Sequence, residues 1–207
     1  MSSDFHTHDA AAAGRALISA ATPLPGKQVS LELHPWSVGA GFPGVPAGFA
    51  EKLAECAALG EVGFDALRGD AKRQSEILPE LLELAESLGK PVVLHLVRPT
   101  EEVFEILGRY RLRYLVHGFR GKAEKLQRYL ERGYFVSLGE KALTDPGVAE
   151  LLKARGLERI GFETDAGDGN IRDVLRRAAE LLEMPELERA TDATFDLFLH
   201  GGPNERQ

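Results

Sequence analysis

Two stretches decide the fold: Pro91-Val92-Val93-Leu94-His95-Leu96-Val97-Arg98 and Tyr114-Leu115-Val116-His117-Gly118-Phe119-Arg120. Each is a short, β-branched apolar run that ends in a histidine, with an arginine three residues further on. An unbroken run such as Val92-Val93-Leu94 has no polar face, so it reads as a strand buried on both sides, as strands of parallel sheets are. Working outward, runs of the same kind recur at 4–8, 16–20, 29–34, 61–65, 91–96, 114–118, 134–138 and 159–164. Polar stretches with helical periodicity separate most of them. Gly121–Arg132 puts Leu126, Tyr129 and Leu130 on one face, and Ile171–Leu182 puts Ile171, Val174, Leu175, Ala178 and Leu182 on one stripe. Lys72–Leu88 reads as a helix kinked or divided at Pro79. Gly89, Gly133 and Gly156 stand where helices end. Eight strands alternating with helices predict an α/β fold with a parallel sheet, either a closed barrel or an open doubly wound sheet.

Length and composition narrow the field. The 207 residues suggest one domain, 1–207, near the lower end of about 200 residues for a (β/α)₈ barrel. Hydrophobic residues make up 43% and charged residues 28%, as in ordinary globular chains. Cys56 is the one cysteine, so neither an internal disulfide nor a thiolate metal cage is expected. It falls in an apparent amphipathic helix, 54–58, as a small buried hydrophobe. The N-terminus has no basic segment followed by an apolar run, and no apolar stretch approaches about 20 residues. These features lead us to expect a cytoplasmic protein with no membrane partner. A net charge of -7 argues against passive nucleic-acid binding. It is compatible with a nuclease, because two divalent ions would bring -7 to -3.

The chemistry gathers at the strand ends. Five of the six histidines, His6, His8, His34, His95 and His117, fall there. That is the active-site face of a barrel. His6 and His8 share a strand face, ~7 Å apart along the strand, and can grip one ion at ~2.1 Å each. Asp4, on the same face, is placed to accept a hydrogen bond from an imidazole. Glu61 is an acid within an apolar strand, which is costly unless a cation partners it. The same residue after Gly60 is also what an exposed loop would show. Glu163 and Asp165 share a face at the end of the last strand, suited to ligation and proton handling. Asp165 is equally suited to cap the next helix. Four imidazoles and two carboxylates together suit two divalent ions, with arginines facing an anionic substrate.

These segments, DFHTH (4–8), LELHPW (31–36), GEVGFD (60–65), PVVLH (91–95), VHGFRG (116–121) and ETD (163–165), resemble the TatD family of metal-dependent hydrolases, in its order and approximate spacing. TFDLF (194–198) resembles the family's final helix, and HPW, HGFRG and GEK (139–141) are similar to a short TatD-like branch. The resemblance implies a compact, distorted TIM-like barrel. It implies one ion held by His6, His8, Glu61 and Asp165, and Glu61 bridging to a second ion held by His95 and His117. It also implies that a metal-bound hydroxide attacks a phosphodiester, with Asp165 orienting or deprotonating the water and Glu61 also catalytic. His34, Arg98, Arg120 and Glu163 would face the substrate, which is a phosphodiester and, in many relatives, DNA. Three departures lie in the implied substrate pocket. Val97 stands where the family often has Arg, Gly118-Phe119-Arg120 replaces a Ser-rich segment, and Ala166-Gly167-Asp168 replaces a following Pro.

The leading expectation is therefore a two-metal phosphodiesterase or deoxyribonuclease, in which a metal-bound hydroxide attacks a phosphodiester. The alternatives are an amidohydrolase acting on a small amide, lactone or nucleobase, and a non-catalytic metal-binding barrel. Histidine-rich ligation suits Zn²⁺, while phosphoryl chemistry often uses Mg²⁺ or Mn²⁺, so metal identity stays open. The oligomeric state also stays open, a monomer being compatible with the pattern. Only seven residues, 9–15, separate the first two strands, and 22–28 is short and proline-bearing. The first two crossover helices are thus expected to be reduced or missing, opening the site beside His6 and His8.

Overall fold

The computed structural model describes residues 2–12, 14–167 and 169–201. Its strands are β1 (Ser3–Thr7), β2 (Arg15–Ala20), β3 (Gln28–Leu31), β4 (Ala58–Asp65), β5 (Val92–Val97), β6 (Tyr114–Val116), β7 (Phe135–Leu138) and β8 (Ile160–Phe162). Its helices are α1 (Phe49–Glu55), α2 (Ala71–Ser87), α3 (Glu101–Leu107), α4 (Ala123–Glu131), α5 (Pro146–Arg155), α6 (Ile171–Leu182) and α7 (Leu187–His200). The strands form one sheet in sequence order, with parallel registered pairs. Asp165, just past β8, bridges in parallel to Thr7 of β1. Parallel strands in chain order, with the last returning to the first, are the topology of the TIM-type α/β barrel.

The residues fall into two compact units, 2–18 with 115–201, and 19–114. In the first unit, α7 packs on β1 and β8. Phe195 meets Phe5 edge-on at 5.1 Å. α6 buries the stripe expected of it, Ile171, Val174, Leu175, Ala178 and Leu182, and Asn170 caps it by accepting the Arg172 N–H. In the second unit, α2 lies along β4 and buries Ile77, Leu78, Leu81, Leu82 and Ala85. It runs unbroken through Pro79, so the expectation of two shorter helices is corrected. The apolar stripe on either side of the proline outweighs the one backbone hydrogen bond it removes.

Other boundaries move for identifiable reasons. β3 ends at Leu31, because Pro35 opens a 3₁₀ turn, Pro35–Ser37, that His34 caps. β4 begins three residues before Glu61, at Ala58. Cys56 is buried but lies past the end of α1, not inside a helix. The β1–β2 and β2–β3 connections contain no helix among the described residues, as expected of segments this short. Ala13 and Asp168 lie outside the described residues. Among the described residues no helix is long and apolar enough to cross a membrane.

Candidate metal centres and substrate cavities

The first unit gathers His6, His8, His117 and Asp165. His6 Nε2 lies 3.4 Å from His8 Nε2. Asp165 Oδ1 lies 3.8 Å from the former and 3.9 Å from the latter. Ligands at ~2.1 Å from one tetrahedral ion stand about 3.4 Å apart, so this triangle is close to the size an ion needs. Ligand atoms of His6, His117 and Asp165 also lie within 4.8 Å of one another. The rings of His6 and His117 are 4.2 Å apart.

Backbone pairing aims Asp165. Its N–H donates to the His6 carbonyl at 3.0 Å, and its carbonyl accepts the His8 N–H at 3.2 Å. Its φ of 54° is left-handed, a conformation Asp and Asn tolerate better than most side chains. Asn170, not Asp165, caps the following helix. Asp4 does not receive an imidazole. Its carboxylate accepts the His6 N–H at 3.3 Å, the Thr164 N–H at 3.2 Å and the Thr164 hydroxyl at 2.7 Å. Burial raises its pKa to about 6 despite those donors.

Glu163 is buried beside His117 and Asp165. It accepts the Gly118 N–H at 2.6 Å and the Ser137 hydroxyl at 2.5 Å. Burial raises its pKa to about 7, against the pull of His117 and these hydrogen bonds. It thereby ties the loop after His117 to β7. Sequence reasoning missed Ser137, although a serine in the apolar run of β7 needs a buried partner. A cavity of about 590 Å³ is lined by Glu163, Asp165, Arg120, Lys141 and Arg177, among others. Another, of about 580 Å³, includes His8, Asp9 and Asp165. His8 is itself 38% exposed on its side chain.

The second unit gathers His34, Glu61 and His95. Glu61 is buried on β4, which rules out the exposed-loop reading. Its Oε2 lies 3.4 Å from His34 Nε2 and 3.2 Å from His95 Nδ1. Gly60 and Gly63 permit this approach: a Cβ on either would come within 2.4 Å of a β5 carbonyl, Val93 or His95. His34 Nδ1 accepts the Trp36 N–H at 3.1 Å, which places the proton of a neutral ring on Nε2, toward Glu61. His34 Nε2 thus faces the Glu61 carboxylate, and ligand atoms of His34, Glu61 and His95 lie within 4.8 Å of one another.

Asp65 was not singled out from the sequence, although its spacing of four from Glu61 puts it on the same strand face. Its Oδ2 meets His95 Nε2 at 3.3 Å and accepts the Trp36 indole N–H at 2.6 Å. Burial pushes the Asp65 carboxyl up. Hydrogen bonds from Trp36, the Leu67 N–H and His95 outweigh that and hold it below its ordinary value. Arg98 follows β5 in left-handed backbone, with φ 48°. Imidazole and carboxylate donors in both units fit divalent transition metals.

A sequence profile described as TatD related DNase matches residues 16–194. The chain belongs to that family. An uncharacterised metal-dependent hydrolase of Methanocaldococcus jannaschii is 27% identical over 152 residues, 68% of this chain and 60% of the relative. The Schizosaccharomyces pombe deoxyribonuclease Tat-D is 30% identical over 116 residues, 53% of this chain and 37% of the relative. The chain thus spans less than two thirds of either curated relative. The crystal structure of YjjV, a TatD homologue from Escherichia coli K12, superposes with a TM-score of 0.68 at 23% identity, covering 92% of this chain and 87% of that one. This last likeness is one of fold, and it is the TIM barrel of the TatD family.

Proposed function

We propose that this TatD-family chain is a two-metal phosphodiesterase of the deoxyribonuclease type. The observation that carries the reading is the triangle of His6 Nε2, His8 Nε2 and Asp165 Oδ1, with edges of 3.4–3.9 Å. In this reading, which follows the family resemblance, His6, His8, Glu61 and Asp165 would hold one divalent ion, and His95 and His117, together with Glu61, would hold a second. When bound, such ions lower the pKa of a water and stabilise charge on phosphoryl oxygens. The chain's own groups do the rest. Asp165 is the proton acceptor that orients the attacking water. Arg120 contacts phosphate oxygens from the wall it shares with Asp165, and Arg98 has the same role. His34 steadies Glu61, and Glu163 positions the loop that carries Arg120.

The name of the matching family and that of the S. pombe relative support DNA as the phosphodiester substrate. The test is a chelator-stripped protein reconstituted with Zn²⁺, Mn²⁺ or Mg²⁺, analysed for bound metal and assayed on single-stranded DNA, bis(p-nitrophenyl) phosphate and a lactone. The expected result is up to two ions per chain and turnover of the phosphodiesters. The bridging role implied for Glu61 predicts that Glu61→Gln loses both ions. No bound metal, or turnover of the lactone alone, overturns the reading.

A further inference from the structure

Three cavities of the first unit adjoin through shared walls. The one beside His8 and the one beside Glu163 share Thr164, Asp165 and Asn170. The latter shares Glu140, Lys141 and Arg177 with a third, of about 720 Å³. The walls change character along this series. Asp4, Asp9 and Asp165 line the first cavity, with no lysine or arginine among its described lining residues. Arg120, Lys141 and Arg177 line the second, where they stand among the carboxylates Glu140, Glu163, Asp165 and Asp173. Leu143, Pro146, Ala149 and Leu181 supply apolar surface in the third.

The cations at the third cavity are not equivalent. Arg177 pairs with Glu140, and Lys153 pairs with Glu183. The Lys141 ammonium makes no ion pair among the described residues, and it stands on the wall that the second and third cavities share. Leu181, on α6 one turn beyond Arg177, is left 45% exposed in the third cavity. A polyanion continuing into that cavity would lay its next phosphate against leucine and proline, with its remaining cations already paired. An uncharged ring would instead cover Leu181 while its phosphate stayed beside Lys141.

We infer that the third cavity is a subsite for an apolar or aromatic ester group of a phosphodiester, a terminal nucleobase or an aryl group, with Lys141 at its mouth as the specificity-determining cation. The inference rests on the phosphodiesterase reading and names the substrate class within it: a short phosphodiester with one flat, uncharged substituent.

The subsite is decided by binding to the metal-loaded protein, using diphenylphosphinate and dimethylphosphinate, anions that carry no ester bond to hydrolyse. Calorimetry should show the diphenyl anion binding about tenfold more tightly, the scale on which an apolar pocket discriminates. Leu181→Ser, at an exposed position, should bring the ratio close to one and leave the dimethyl anion unaffected. Lys141→Ala should weaken both by a similar factor. Equal affinity for the two anions, a preference that survives Leu181→Ser, or no binding of the diphenyl anion overturns the subsite. The phosphodiesterase reading is decided separately, by turnover of bis(p-nitrophenyl) phosphate. A phosphinate preference erased by Leu181→Ser, without any turnover, keeps the subsite and removes the reading. Turnover with no phosphinate preference does the reverse.

Discussion

His95 stands in register with Gly63 on the neighbouring strand, and the missing side chain leaves its imidazole between two carboxylates. Nδ1 lies 3.2 Å from Glu61 and Nε2 lies 3.3 Å from Asp65. Glu61, Gly63 and Asp65 are alternate residues of β4, so the glycine is the gap in a row of acids.

Gly63→Ala tests that gap. A Cβ there would lie 2.4 Å from the His95 carbonyl, and φ is 138°. The strand must shift, and an L side chain is strained in that conformation. We expect a loss of stability of about 3 kcal/mol by urea denaturation, together with weaker divalent-ion binding. An alanine variant as stable as the parent would show that the strand has room.

Much of this site was legible because chemistry at strand ends leaves a simple trace, a polar residue closing an apolar run. His6, His8, His95, His117 and Asp165 carry that trace, and Glu61 a second one, an acid inside an apolar run. The structure brings His6, His8, His117 and Asp165 together in one unit and Glu61 and His95 in the other. The partners of these residues were not legible. Nothing local ties Trp36 to Asp65, 29 positions away, or Ser137 to Glu163. Such pairs are set by strand register and loop path, which periodicity does not encode. His34 was placed on a strand because its apolar flank continues β3. Pro35 was the signal that the strand had ended.

Asp65→Asn should loosen His95. The carboxylate accepts from Trp36 and faces His95 Nε2, so the amide removes the charge that orients the ring. Outer partners of this kind are typically worth about 10–100-fold in metal affinity. Trp36 is the chain's single tryptophan, and the Arg68 guanidinium lies 3.9 Å from its ring centroid. Its emission should therefore change as metal is titrated into the parent and respond less in Asp65→Asn. Identical titrations would detach Asp65 from the metal centre.

Asp165→Asn separates chemistry from architecture. Asparagine tolerates the left-handed backbone at 165, and the main-chain bonds to His6 and His8 do not involve the side chain. Denaturation midpoints should match the parent, while turnover of bis(p-nitrophenyl) phosphate falls at least ~100-fold. Asp165→Val should add a stability loss of about 1–3 kcal/mol from backbone strain. Retained turnover in Asp165→Asn would assign proton handling elsewhere.

Asp4 supplies a pH dependence whose sign can be stated. Burial raises its pKa from 3.8 to about 6 in the folded chain, while the unfolded chain keeps the ordinary value. Between those values the folded state holds the proton that the unfolded state has released. Stability from this group is therefore full below about pH 4 and is lost as pH rises through 6. At 1.36 kcal/mol per unit, the loss is about 3 kcal/mol. Asp4→Asn has no proton to lose and keeps a carbonyl to accept from Thr164. In metal-free protein, urea denaturation at pH 4.5 and 7 should show the variant gaining on the parent as pH rises. A constant difference across that range would mean that the donors from Thr164 and His6 already offset the cost of burying the charge.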